Sequence, residues 1–419
     1  MGIFASKESR TSGGNENERL LNGSTIPNEN SETLVSTECR IYKVPCYLRN
    51  VKKKAYTPQV ISIGPIHHDK KRFQTMENHK DKYFTNFIDQ CQISLEDLVS
   101  AIRGMEGRIR CCYVETVQLK SDDFVKMIML DASFILDLFL KSRFGGRTTD
   151  DPIRVEAWLL GMVRRELLLL ENQLPFFVIE ELYHLTLPSL SNTNPLIQLT
   201  FDFFKDFNIH NKSPDVEIQH FTDLLRFFQL PPNLPNRVSE MSFPQYSVTQ
   251  LHEAGVKFKV ASSKCLLDLK FKRGVLEIPL LKFQDDTETL VRNIMALEQC
   301  DDRRDTYITD FYLILDRLIN TANDVDLLGD EGIVVNYLGD SKAVTSMINN
   351  LNREIFRRQM NSDFSQLCED LNKYYEKPLN RWKAILRHRY FSTPCRSAST
   401  IAAIILLVLT FIQTLFSVL

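Results

Sequence analysis

Three histidines and two acids near residue 70 are the side chains of this sequence that most resemble a metal site. His67, His68 and His79 stand close to Asp69 and Glu77, and imidazole and carboxylate groups are common zinc ligands. Adjacent side chains of an extended segment point to opposite sides, so His67 and His68 are poorly placed to share one ion. We therefore predict no bound metal and no cofactor, and keep the three histidines as candidates for a polar pocket.

Acidic residues inside apolar stretches are the second candidate for chemistry. Asp131 shares a helical face with Phe124 and Ile128, and Glu166 and Glu171 flank a run of four leucines. A buried carboxylate must be paired or hydrogen-bonded, because a bare buried charge is too costly. Two interpretations of Asp131 stay open: it ties two helices together, or it has a ligand-binding or catalytic role.

The string "ENQLPFF" places Glu171, Asn172 and Gln173 just before Pro175. Pro175 disfavours helix at Leu174 and predicts a break between two helices. The three polar side chains either satisfy the unpaired backbone groups of both helix ends or line a polar recognition pocket.

An enzyme hypothesis would use these acids and histidines together. The sequence contains no nucleophile elbow, zinc-protease helix, phosphate-binding loop or dinucleotide loop. In "DVDLLGDEG", Leu328 and Val335 occupy positions where a calcium loop needs oxygen ligands. Our first hypothesis is therefore a protein without enzymatic activity. The alternative is a hydrolase-type enzyme whose site would use acidic residues and histidines: His67, His68, His79, Asp131, Glu166 and Glu171.

The elements that must position these side chains are mostly helical. Ser94 with Asp97 resembles a capping box that begins a helix toward Arg110. The 121–140 stretch has the apolar spacing of an amphipathic helix. Further helices are predicted over 151–172, 306–322 and 341–359, with Asp285 and Glu288 as the capping pair of a helix toward residue 299.

Short strands complete the predicted fold. A strand is predicted over 59–63, and "LLDLKFKRGVLEIPLL" has the pattern of a β-hairpin with Gly274 in its turn. Four prolines within 230–246 predict a linker that splits the 39–390 globular body into two lobes. The fold class is therefore mainly α (α+β): a helical body with a small hairpin or sheet.

Composition excludes some classes of protein. The 419 residues are 43% hydrophobic and 25% charged, and a net charge of -2 does not favour nucleic acid as a partner. The nine cysteines include no Cys-x-x-Cys pair, which favours a reducing compartment over a disulfide framework.

The two ends differ sharply. Residues 1–38 are rich in Ser, Asn and Glu, so we predict a disordered tail, with Gly2 as a myristoylation candidate or an unmodified start. Residues 401–419, "IAAIILLVLTFIQTLFSVL", carry no charge. As a helix they would extend about 28 Å, close to the thickness of a bilayer's hydrocarbon core. We predict a transmembrane tail anchor; a buried core helix is the alternative.

The residues before this run predict its orientation. Five basic residues precede it, which places the body in the cytosol by the positive-inside rule. The juxtamembrane segment 391–400 contains Cys395, a palmitoylation candidate, and the glycosylation sequons at Asn22 and Asn211 would then be unused. The basic residues are Arg381, Lys383, Arg387, Arg389 and Arg396.

Several strings resemble the plant-specific family called domain of unknown function 247. They are "IYKVPCYLRN", "AYTPQVISIGPIHH", "MENHK", "LLLLENQLPFF", "GVLEIPLL" and the apolar C-terminal run, in that order. Three positions depart from the family pattern: Ile66 stands for an aromatic residue, Glu166 for an aspartate, and Cys395 for a tryptophan.

The resemblance implies a mostly helical cytoplasmic body and one C-terminal membrane span. Some grass members of the family are implicated in self-incompatibility, which implies recognition more than catalysis. We therefore expect a membrane protein with the lipid bilayer and unidentified proteins as partners, a cytosolic body, a signalling or interaction role, and the plasma membrane as its location.

Overall fold

The computed structural model describes residues 39–418 except 69, 92, 146–152, 154–155, 233, 264, 266, 357–358 and 391–393. The predicted tail 1–38 and the acylation candidate Gly2 lie outside the described residues.

The first half of the described chain is a bundle of helices around one long central helix. In chain order the helices are α1 (Cys46–Val51), α2 (Gln74–Ile88), α3 (Leu95–Cys111), α4 (Ser121–Phe144), α5 (Ala157–Glu166), α6 (Phe176–Thr186), α7 (Pro188–Ser191), α8 (Leu196–Phe203) and α9 (Phe221–Gln229). Single 3-10 turns cover Lys53–Tyr56, Lys71–Phe73 and Lys205–Phe207.

Helix α4 is the centre of this bundle. It packs against α2, α3, α6 and α8, and most side chains from Phe124 to Phe139 are buried. The pattern over 121–140 predicts one apolar face, but a helix with neighbours on several sides must be apolar nearly all round. The helix is therefore longer and more completely enclosed than its sequence pattern predicts.

The second half combines helices with short strands. The helices are α10 (Val248–Glu253), α11 (Thr287–Cys300), α12 (Tyr307–Leu318), α13 (Ala322–Asp330), α14 (Ser341–Leu351), α15 (Ser362–Glu376), α16 (Pro378–Tyr390) and α17 (Pro394–Val418). The strands are β1 (Arg237–Val238), β2 (Lys257–Val260), β3 (Lys270–Lys272), β4 (Val275–Ile278), β5 (Leu281–Phe283), β6 (Val334–Asn336) and β7 (Met360–Asn361).

The predicted hairpin is confirmed and belongs to a mixed three-stranded sheet. β3 pairs antiparallel with β4, and β2 pairs parallel with β4 on its other side. Gly274 adopts φ +78°, and a Cβ there would lie 2.8 Å from the Tyr374 hydroxyl, so the turn needs glycine. β1–β7 and β5–β6 are separate two-stranded pairs. The predicted fold class, mainly α with small β elements, is confirmed.

Helix boundaries show where local patterns succeed and fail. The Ser94 hydroxyl accepts the Asp97 N–H at 3.1 Å, as predicted for the start of α3. The helix predicted over 151–172 ends instead at Glu166, and residues 151–152 lie outside the described residues. The predicted 306–322 and 341–359 helices end at Leu318 and Leu351.

The predicted capping pair at the start of α11 is wrong. The residue before the helix is Asp286, which makes no side-chain cap. The Thr287 hydroxyl instead accepts the Gln284 N–H at 2.9 Å, and Glu288 pairs with Arg292 at 2.9 Å. The Glu288 carboxylate also contacts the Lys52 ammonium, so its partners are two basic side chains.

One large hydrophobic cluster contains side chains from both sides of the proline-rich 230–246 stretch, including Phe228 and Phe258. The division into two lobes and the other domain limits stay predictions. All nine cysteines are free thiols in the structure, and the reducing compartment stays a prediction.

Candidate functional site

The 59–68 segment contains bends and turns but no helix or strand, and buried side chains hold its backbone. The Glu166 carboxylate, at the end of α5, accepts the N–H groups of Gln59 at 2.6 Å, Val60 at 2.9 Å and Ile61 at 2.9 Å. The strand predicted over 59–63 is therefore wrong, because a carboxylate takes the place of a neighbouring strand. Burial raises the pKa of Glu166, although these three N–H groups stabilise its ionised form.

Asn172 continues this support along the segment. Its side-chain oxygen accepts the Ile63 N–H at 2.7 Å, and its amide donates to the carbonyls of Ile61 at 3.2 Å and Glu166 at 3.0 Å. The side chain is fully buried. Asn172 therefore bonds both the segment and the last residue of α5.

Gln173 satisfies backbone groups at the break after α5. Its amide donates to the carbonyls of Leu167 at 2.6 Å and Leu169 at 2.7 Å, and its oxygen accepts the Phe221 N–H at 2.8 Å. The interpretation that these residues satisfy the first helix end is confirmed. For the second helix end, the start of α6, the interpretation is wrong. Gln173 bonds the first residue of α9 instead, and the Gln219 carbonyl accepts the Phe176 N–H of α6 at 2.8 Å.

Asp131 joins α4 to α2 and to the 59–68 segment. Its carboxylate accepts the Gly64 N–H at 2.7 Å and pairs with the Lys80 ammonium at 2.6 Å. Lys80 also pairs with Glu77 at 2.8 Å and donates to the Ser62 carbonyl. These contacts agree with the interpretation that Asp131 ties two helices together.

Lys80 is a buried charged residue of this network that the sequence analysis did not single out. It lies on the buried face of α2 with Met76, Tyr83 and Phe87, and a lysine on an apolar stripe is the signal that could have revealed it. Burial alone would lower the pKa of Lys80, but Asp131 and Glu77 raise it above its ordinary value. The lysine is therefore held charged inside the protein.

Gly64 lets the segment turn against the 166–173 region. Its φ is +69°, and a Cβ there would lie 2.4 Å from the Gln173 carbonyl oxygen and 3.0 Å from the Tyr113 hydroxyl. The Tyr113 hydroxyl itself donates to that carbonyl at 3.0 Å. This close approach requires glycine for both conformation and space.

Glu171 anchors the beginning of the described chain. One carboxylate oxygen accepts the Val44 N–H at 2.8 Å, and the other contacts His67 Nε2 at 2.8 Å and the Arg49 guanidinium. Glu171 is completely buried. It thus binds α1 and the 59–68 segment at once.

His67 is neutral in this arrangement. Burial, followed by the charges of Lys70 and Arg49, lowers its pKa to about 3. Nε2 then carries the proton and donates to Glu171, while Nδ1 accepts from the Lys70 ammonium. The histidine links a buried acid to a more exposed lysine.

The structure therefore brings some of the predicted pocket residues together, and there their side chains hold the 59–68 segment in place. Asp131, Glu166 and Glu171 each accept hydrogen bonds from backbone N–H groups of other elements. A general base needs a free lone pair near a substrate, and this arrangement instead uses the carboxylates to hold chain segments in place.

An open cleft lies beside this network. It has a volume of about 350 Å³ and is lined by Lys43, Ile66, His68 and Glu115, among others. Of the eight predicted pocket residues, only His68 is in its lining. His79 lies half-buried on α2, and within the described residues no group of three metal-ligating side chains occurs.

Cys395, the described lipidation candidate, is exposed in the first turn of α17. Its acylation stays a prediction.

Comparisons with known proteins agree with the resemblance in the sequence. The model of a family described as plant protein of unknown function, DUF247, matches residues 41–409. The chain is 28% identical to the UPF0481 protein At3g47200 of Arabidopsis thaliana, with 96% of this chain and 90% of that protein covered. It is 22% identical to another Arabidopsis thaliana UPF0481 protein, At3g02645, with 89% of each covered. No solved structure matches the chain at a significant level.

Proposed function

This chain belongs to the plant DUF247 family, and we propose that it is a membrane-anchored protein whose body acts by binding other proteins and not by catalysis. The body lies on the cytosolic side, and the plasma membrane is the proposed location.

The observation that carries the proposal is the C-terminal helix. Among the described residues, Cys395–Ser417 is the one helix long and apolar enough to cross a membrane, and none of its most apolar 18-residue window is buried in the protein. So much apolar surface is unstable in water, and its length suits a bilayer. Exposure of this helix argues against the core-helix alternative.

The polar side chains of the helix also suit a lipid environment. The Thr410 hydroxyl donates to the Leu406 carbonyl at 2.8 Å, and the Ser417 hydroxyl donates to the Thr414 carbonyl at 3.0 Å. Hydroxyls that bond their own helix need no water.

The buried polar network supports a binding role over catalysis. The hydrolase alternative needs an acid and a histidine that reach a substrate, but the Glu171–His67 pair is enclosed. Arg49 and Lys70 complete its hydrogen bonds. This network stabilises a defined surface, which is what a binding protein needs.

Carbonate extraction of plant membranes, combined with glycosylation mapping, tests the anchor and the orientation. The full chain is expected to stay in the membrane pellet, because an inserted apolar helix resists alkaline extraction. A sequon appended after Leu419 should be glycosylated, whereas Asn211, which is exposed at a turn, should not be. Release by carbonate would refute the anchor, and modification of Asn211 would refute the orientation.

A further inference from the structure

Helix α16 has one face against the body. Ala384 and Asn380 are buried one turn apart, and the Asn380 amide donates to the Tyr374 carbonyl at 2.8 Å. Arg387 donates to the His252 carbonyl at 2.8 Å, and His388 contacts Glu253 at 3.1 Å. These contacts fix the helix against α10 and the end of α15.

The opposite face of α16 is apolar and exposed. Leu379, Trp382, Leu386 and Tyr390 follow at spacings of three, four and four residues, which places them on one side of a helix. Their exposed fractions run from 46% to 77%. This outward face, defined as these four residues, has two of the side chains that favour membrane interfaces, tryptophan and tyrosine.

The charged side chains of α16 that flank the outward face are positive. Lys383 and Arg389 lie beside it and are exposed, and Arg381 and Arg387 add two more positive charges on the same helix. The helix contains no acidic residue. An apolar face flanked by lysine and arginine is the pattern of helices that lie at anionic lipid surfaces.

We infer that α16 lies in the plane of the membrane, with its outward face between the headgroups and acyl chains of an anionic leaflet. The inference rests on the proposed membrane anchor and deepens it. Continuity of the chain supports lipid as the occupant, since the Thr400 hydroxyl in α17 donates to the Tyr390 carbonyl at 3.2 Å. The Tyr390 end of the outward face therefore lies beside α17, the helix that is proposed to enter the bilayer.

This arrangement sets how the body sits on the membrane. The contacts of α16 with His252 and Glu253 then place α10 behind α16, on the side away from the bilayer. The span alone would leave the body free to rotate, whereas two attached helices fix one side of it toward the lipid. The remaining surface is then presented to partners.

The chain contains two tryptophans, which makes a direct test possible. Trp158 and Trp382 are each 64% exposed in the structure. The Trp158→Phe variant leaves Trp382 as the only reporter, and the Trp382→Phe variant leaves Trp158 as the matched control. Both full-length variants are placed in vesicles of phosphatidylcholine and phosphatidylserine, and quenching is measured with acrylamide in the water and with brominated phosphatidylcholine in the bilayer.

Trp382 should be quenched by the brominated lipid and should have an acrylamide quenching constant about twofold or more below that of Trp158. Omitting phosphatidylserine should weaken this difference. Equal behaviour of the two tryptophans in carbonate-resistant vesicles would overturn the inference and leave the anchor intact. Loss of carbonate resistance would refute the anchor itself. Protection of Trp382 only in native membranes would show that a protein covers the face, which also overturns the inference.

A second pair of variants guards against an indirect effect. Leu386→Gln should raise the acrylamide accessibility of Trp382 while the chain stays in the membrane. Leu95→Gln, at a position with a similar exposed fraction, 48% against 46%, should change nothing. An equal response from both variants would contradict a specific role of the outward face.

Discussion

The 166–173 region and the α16–α17 region differ in whether their unfavourably placed side chains find partners within the chain. In the first, buried acids and amides find their partners inside the chain, as Glu166 does with the N–H groups of residues 59–61. In the second, large apolar side chains such as Trp382 and Leu407 remain exposed. Polar groups in an apolar core and apolar groups in water are both unfavourable, but only the first region resolves the conflict within the described chain.

The difference assigns different roles to the two regions. A network whose members already bond each other has little capacity left for a substrate, so it stabilises the body. A surface that lacks an apolar partner needs one from outside the chain, so it is where binding is expected. Five variants break or sharpen this contrast, beginning with the largest effect.

The largest effect is expected from charges in the middle of the proposed span. Leu406→Arg with Leu407→Arg should abolish membrane retention, because each central arginine opposes insertion by about 2.5–3.5 kcal/mol. The measurement is the fraction of full-length protein in the carbonate-resistant pellet. The isomeric control, Leu406→Ile with Leu407→Ile, should be retained, and retention of the arginine variant would contradict the span.

Lys80→Met should lower the free energy of unfolding by about 3–5 kcal/mol, because it leaves Asp131 buried and unpaired. Denaturant unfolding of the full chain in detergent measures this. Adding Asp131→Leu should restore part of the loss, since the bare charge is removed. Lys373→Met, which disrupts an exposed pair with Glu369, should cause no measurable change; equal effects at both lysines would refute a special role of the buried pair.

Gly64→Ala should lower the free energy of unfolding by about 2–4 kcal/mol, because it combines strained backbone with a clash against the Gln173 carbonyl. Gly332 is the matched control, with φ +71° and open space around its position. Its change to alanine should cost about 1 kcal/mol, from backbone strain alone. The same unfolding experiment compares them, and similar losses would show that the close approach contributes nothing.

Stability should fall as the pH drops from about 6.5 toward 3 because of His67. Its folded pKa is lowered to about 3, while in the unfolded chain it is about 6.5. The unfolded state therefore takes up a proton in this window before the folded state does, which favours unfolding. His67 should contribute a loss of about 2 kcal/mol between pH 7 and pH 5. His67→Gln, which keeps a donor to Glu171, should show a flatter pH profile, and an unchanged profile would contradict the assignment.

The smallest effect is expected on the outward face. Leu386→Gln should change the free energy of unfolding in detergent by no more than about 0.5 kcal/mol, because this residue is 46% exposed and is not among the buried residues of α16. A large loss of stability would mean that α16 is part of the folded core and would remove the contrast between the two regions.

Local patterns predicted elements correctly where nearby residues supply the partners. Ser94 caps α3 with an acceptor three residues from its donor, and Gly274 turns the hairpin between adjacent strands. The strand over 59–63 was wrong because its partner is Glu166, 107 positions from Gln59. The same distance in sequence concealed Lys80 as the partner of Asp131, 51 positions away.

The sequence by itself determined the family, the mainly α fold class and the apolar character of the C-terminal helix, because motif strings, periodicity and hydropathy depend on order and composition alone. The tertiary structure alone decided that Asp131, Glu166 and Glu171 support one segment, and that Trp382, Leu386 and Tyr390 face away from the body. Those outcomes depend on which distant groups meet and which side of a helix is covered, and only packing settles such three-dimensional relations.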